Sequence, residues 1–220
     1  MPGGPPARCL APGSTDPTEA PKPRTQFSLG AGWLDTTLDF GDLRADVEMT
    51  AVSLSASRPL GDKWTGRFSI GAVVDGSVQP HGGPAHTVKP GGLIAVGFER
   101  HLRNTDGATP AVDLTGALGV TWAKTEAPGS DVRTSYTAAD LRLGARATWQ
   151  LGAKIFPFAA GRVFGGPVNW ELAGDNLSGT DIHHYQLAVG VAALVGKTAL
   201  FAEWAGVGER GLSAGIGTAW

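Results

Sequence analysis

Between Gly208 and Trp220 (GERGLSAGIGTAW) the side chains sort by parity. Leu212, Ala214, Ile216, Thr218 and Trp220 share one parity, and Ser213, Gly215, Gly217 and Ala219 the other. A period of two is the signature of a strand, and it rules out a helix with one buried stripe. An apolar face opposite a face of Gly and Ser suits a sheet with lipid on one side and a crowded polar lumen on the other.

The same pattern recurs along the chain. Gln26 to Asp35 sets Phe27, Leu29, Ala31 and Trp33 against Ser28, Gly30 and Gly32. Asp46 to Arg58 alternates too, but its apolar parity switches between Ala51 and Val52, which predicts a β-bulge. Trp64 to Val74 is the cleanest strand, with Trp64, Phe68, Ile70 and Val74 opposite Thr65, Arg67 and Ser69. Gly91 to Leu102, Ala111 to Lys124 and Ser135 to Leu151 follow, the last with Leu141, Leu143 and Ala145 opposite Asp140, Arg142 and Arg146. Lys154 to Phe164 is apolar on both parities and receives no facing. His184 to Val195, Thr198 to Ala205 and the final stretch complete about ten strands, with eight or twelve also compatible. Four connections read as long loops: Thr36 to Asp46, Gly76 to Pro90, Thr125 to Thr134 and Gly165 to Thr180. The intervening turns are short, among them Asp106-Gly107.

Length and composition agree. A chain of 220 residues suffices for one closed barrel of roughly ten strands and falls short of a 16-stranded porin. The longest apolar run, LAVGVAALVG from Leu187, is far below the ~20 residues of a membrane-spanning helix. A mean hydropathy of -0.03 does not decide the class, because only alternate residues of a membrane barrel meet lipid. A net charge of -2 without a basic stripe excludes a general polyanion-binding role, and no nucleic-acid partner is expected. Cys9 is the single cysteine, so no internal disulfide or cysteine zinc site can form. Residues 1–26 hold seven prolines and no apolar signal core, and they read as a disordered tail ahead of a barrel domain at 27–220.

The alternating strands and the final aromatic strand together resemble the small bacterial outer-membrane β-barrel proteins of the opacity and OmpA type, a porin-like group, across Phe27 to Trp220. The resemblance implies an all-β, closed, antiparallel up-and-down transmembrane barrel in the bacterial outer membrane. It also implies contact with membrane lipid and lipopolysaccharide, a terminal strand read by the barrel-assembly machinery, and a monomer. No signal peptide is visible in this chain, and no cofactor is expected.

Several residue groups carry possible function. Arg67, Arg142 and Arg146 share the lumen parity with Glu99, Asp113, Asp140 and Glu203, which predicts a salt-bridged interior, either filled or a narrow channel. Trp33, Trp122 and Trp204 fall at one end of the strands and Trp64, Trp149 and Trp220 at the other, as in aromatic girdles, while Trp170 falls in a loop. The segments Asp35 to Asp46 and Gly165 to Asp181 make the outer mouth acidic. His81, His86, His183 and His184 in outer loops are weak candidates for a metal site.

Barrel proteases of the omptin type use an Asp-His pair at the rim, for which Asp181 and His183 are the only candidates. Lipid A deacylase barrels use a lipid-facing Ser-His pair, which the lipid-facing parities lack. No enzyme is expected. The predicted function is that of a surface protein or narrow porin-like channel. The alternative is a soluble, lipocalin-like barrel for an apolar ligand, in which Trp64, Phe68, Leu114, Leu118, Leu141 and Leu143 would point inward.

Overall fold

The computed structural model describes residues 25–104 and 108–219. The expectations for the tail up to residue 24, the Asp106-Gly107 turn and Trp220 lie outside these residues. The described chain is all strand: β1 (Gln26–Asp39), β2 (Arg44–Pro59), β3 (Trp64–Pro80), β4 (His86–Arg103), β5 (Ala111–Glu126), β6 (Arg133–Thr148), β7 (Ile155–Gly165), β8 (Val168–Leu172), β9 (Asp175–Asp181), β10 (Tyr185–Val195), β11 (Thr198–Gly208) and β12 (Arg210–Ala219). Strands β1 to β7 and β10 to β12 pair antiparallel in sequence order, and β12 pairs with β1 from Gln26↔Ala219 to Asp35↔Arg210, closing a ten-stranded barrel.

The wall shows why these residues form strands. Trp64, Phe68, Leu114, Leu118, Leu141 and Leu143 are all exposed on the outer surface. That placement excludes the soluble alternative, which needed them inside. In β3 the apolar outer run from Trp64 to Val74 rises roughly 33 Å along the strand, or about 23 Å along the membrane normal at a tilt near 45°, close to the height of a hydrocarbon band.

Strands β1 to β6 continue past this band, and there the two faces exchange character. On β2 the inward parity is unbroken from Ala45 through Val47, Met49, Ser53 and Ser57. Inward residues are apolar above Ala51 and serine below it, while outward residues pass from Asp46 and Glu48 to Val52 and Leu54. The expected bulge in β2 is therefore absent. Its apolar parity switches because the surroundings switch, from water outside an apolar core to lipid outside a polar lumen. A bulge does occur opposite, on β3, where Thr50 pairs with Asp75 and Ala51 with Val73, leaving Val74 as the extra residue.

The expected long loops are largely these strand extensions. Thr36 to Asp39 and Arg44 to Asp46 belong to β1 and β2, and Gly76 to Pro80 and His86 to Pro90 to β3 and β4. Gly165 to Thr180 holds the β8–β9 hairpin. β8 pairs with β6 and β9 with β1, at Leu38↔Asp181 and Asp39↔Thr180. Beyond the tip of the β11–β12 hairpin the ring thus closes through β8 and β9, so that the outer part consists of β1 to β6 plus this hairpin. Its core gathers Leu38, Val47, Val73, Val78, Val88, Tyr136, Val168 and Trp170. Trp170, expected in a loop, is 1% exposed at the centre of that core.

Candidate functional site

The lumen below the apolar core holds two chains of charged groups, which the alternation of β4 to β7, β10 and β11, together with the β11–β12 turn, brings inward. In the first, Arg146 Nη2 donates to Glu99 Oε2 at 2.5 Å and lies 3.6 Å from Asp113 Oδ2, and His101 Nδ1 meets Asp113 Oδ1 at 2.7 Å. In the second, Arg142 donates to Asp140 at 2.7 Å and grips Glu209 with both terminal nitrogens at 2.7 and 2.9 Å. Arg162 grips Glu203 in the same way at 2.8 and 2.6 Å, and Gln186 links the two pairs by accepting from Arg162 and donating to Glu209. The Arg142 guanidinium also stacks over the Phe164 ring at 4.5 Å. Arg67 stands in the field of Glu99, Arg146 and Arg162. Bidentate geometry matters here, since a buried ion pair offsets its desolvation only when its remaining hydrogen-bonding groups are also satisfied.

The structure gathers Glu99, Asp113 and Arg146 in one chain and Asp140, Arg142 and Glu203 in the other. Sequence reading did not find Arg162, Glu209, Gln186 or His101. Arg162 was hidden because β7 turns Phe156, Phe158 and Phe164 inward alongside it, leaving Ile155, Ala159 and Val163 outside, so that both faces look apolar. Glu209 sits in the turn between β11 and β12, where alternation gives no facing. The turn is sealed by the Glu209 amide donating to the Tyr185 carbonyl, and Gly208, at φ 78°, has no room for a Cβ against that carbonyl.

Cavities of about 130 Å³ lie on either side of the second chain, and Asp140, Arg142 and Glu203 line both. Toward the other end, on the β7 and β10 to β12 side of the lumen, Phe201 covers Gly215 and Phe158 covers Gly190. The outer mouth is closed by the apolar core, where Trp170 Nε1 donates to Thr125 Oγ1 at 2.9 Å and its ring meets His86 edge-on at 5.2 Å.

Trp33, Trp64, Trp122 and Trp204 are exposed on the outer wall, whereas Trp149 lies half-buried just past β6. The histidines are not brought together as a metal site. His81 pairs with Asp46 at 3.2 Å, His86 is buried against Trp170, and no cluster of three or more His, Cys, Asp or Glu suited to a metal occurs among the described residues. A hydrogen bond from Thr37 holds the Asp46 carboxyl below its usual range, with His81 adding to the effect, and burial pushes the His86 imidazole down. Asp181 Oδ1 accepts from the His183 backbone amide at 2.7 Å and Oδ2 from Thr36 Oγ1 at 2.5 Å, so this carboxylate pins the β9–β10 crossing. The acidic mouth is likewise partly neutralised, with Arg44 against Asp39 at 3.5 Å.

No protein-family description and no curated protein matches the sequence. Solved structures do match. The outer membrane protease OmpT from Escherichia coli is similar with a TM-score of 0.54 at 9% identity, covering 90% of this chain and 96% of that one. The translocator domain of the autotransporter NalP from Neisseria meningitidis gives 0.52 at 12%, covering 90% and 88%. The fold is that of an outer-membrane β-barrel. At such identities the likeness concerns the fold, and the barrel's activity has to be argued from its own lumen.

Proposed function

We propose that the chain is a closed surface barrel of the bacterial outer membrane that does not conduct ions at rest and holds a rigid β-extension above the lipid. The observation that carries this reading is Trp170, buried with the apolar side chains of six other strands across the outer mouth. Two barriers stand in series, that core and the bidentate Arg142–Glu209 and Arg162–Glu203 layer, and below them Phe158 and Phe201 lie over Gly190 and Gly215 on one side of the lumen. An ion crossing them would leave water for apolar contact, which a narrow pore does not offset. The exposed tips of the extension, Asp39 to Arg44 and His81 to Ala85, are then the parts that meet lipopolysaccharide or an external partner. Assembly in the membrane would use the alternating face of β12.

The reading is tested by planar-bilayer recording of the refolded chain. No discrete steps are expected from the unmodified protein; steady, voltage-independent openings at single-molecule density would overturn it.

A further inference from the structure

The cavity directly beneath the outer core has an unusual lining for a filled lumen. One side is apolar, with Met49, Val73 and Leu93. The other carries four carboxylates against two guanidiniums: Arg142 holds Asp140 and Glu209, Arg162 holds Glu203, and Asp181 accepts from the Thr36 hydroxyl and the His183 amide. Arg210 also touches this wall, but it is exposed and stands opposite Asp35 in the β1–β12 register. The interior face therefore carries an excess of negative charge, and the Tyr136 hydroxyl lies in the field of Asp181, Glu209 and Asp140 together.

A second observation is independent of charge. Ser213, 6% exposed, lines the same cavity, and its Oγ finds no hydrogen-bond partner in the protein. Its cross-strand neighbours explain why: Gly32 offers no side chain, and both oxygens of Glu203 are taken by Arg162. Leaving a buried hydroxyl unsatisfied costs about 1–3 kcal/mol, so such a group points to a polar atom brought by something else. The volume of about 130 Å³ is close to that of a cavity that accommodates a benzene ring.

We propose that this cavity binds a small organic cation, its ammonium hydrogen-bonded to Ser213 Oγ and facing the Glu203 and Glu209 carboxylates, and its apolar body against Met49 and Leu93. An amine of this kind satisfies the serine, offsets the excess negative charge and fills the apolar side. An anion satisfies only the first of these, and a neutral ring only the last.

The test uses the full chain refolded into neutral detergent in the presence of benzylammonium, benzyl alcohol or benzoate, so that entry past the closed ends does not limit binding. Binding is read by ligand-observed saturation-transfer NMR and by the thermal midpoint, with folding verified by heat-modifiable gel migration. Met49→Trp fills the cavity and corrects for partition into detergent. Benzylammonium is expected to bind about tenfold more tightly than benzyl alcohol, with benzoate excluded. Ser213→Val is expected to weaken the amine severalfold, and Met49→Trp to abolish it. Equal affinity for the three probes, binding that survives Met49→Trp, an unchanged affinity in Ser213→Val, or no binding at all would each overturn the proposal. The charge selectivity of the unmodified chain decides the matter even if a variant fails to fold.

Discussion

At the scale of single residues, the lumen places its highest demand on pairs rather than on individual charges. Arg142→Met leaves the Glu209 and Asp140 carboxylates without their guanidinium in a buried layer. A loss of about 3–5 kcal/mol is expected, read from urea unfolding in lipid vesicles. Adding Glu209→Leu should recover part of that loss, and additive losses would show that the two groups are not coupled. His86 makes a different demand. Burial lowers its pKa, so the folded state resists protonation there, and the stability it shares with the neutral unfolded chain is lost as pH falls below about 6.5. The thermal midpoint of the unmodified chain should therefore drop relative to His86→Phe between pH 7.5 and 5. Parallel pH profiles would contradict this. The Asp46 carboxyl, held low by Thr37, acts in a separate window, with its contribution present above about pH 4 and lost only in stronger acid.

At the scale of elements, the β8–β9 hairpin is the part whose removal should change function without unmaking the barrel. It pairs with β6 and β1 only beyond the ten-stranded ring, and it carries Trp170. Trp170→Ala should cost about 3–5 kcal/mol, measured by the same urea titration. Replacing 168–181 by a short flexible turn should leave heat-modifiable migration intact and bilayer recordings silent, because the Arg142–Glu209 and Arg162–Glu203 layer remains, while a thiol introduced by Met49→Cys after Cys9→Ser becomes reachable by an aqueous reagent.

The strands of the ten-membered ring were legible from alternation wherever one face was lipid and the other polar, as in Trp64 to Val74 and Ser135 to Leu151. Three parts were not legible, each for a physical reason. In β7 the lumen itself is aromatic, so the two faces carry the same chemistry. In β8 the segment from Val168 to Leu172 is too short to show a period, and its tryptophan reads as a loop residue until β6 is seen beside it. In β2 the alternation is visible but its phase is ambiguous in sequence, because a switch of medium and a bulge both exchange the apolar parity. Backbone register separates the two: Asp46 to Ser57 pair with β1 without a shift.

At the scale of the whole molecule, the chain is one continuous wall in two media. Below the level of Ala51 its outside is apolar and its inside charged; above that level the assignments reverse, and the ring narrows as β8 and β9 take over from the shorter β11–β12 hairpin. The most direct measurement is spin-label accessibility at successive positions of β2, from Ala45 to Ser57, in lipid vesicles after Cys9→Ser. The outward positions Asp46 and Glu48 should be reached by an aqueous relaxing agent, and Val52, Leu54 and Ala56 by oxygen dissolved in lipid. The inward parity, from Ala45 to Ser57, should remain protected without a break. A one-residue shift of the protected parity at Ala51, or aqueous access at Val52 and Leu54, would contradict the two-medium barrel.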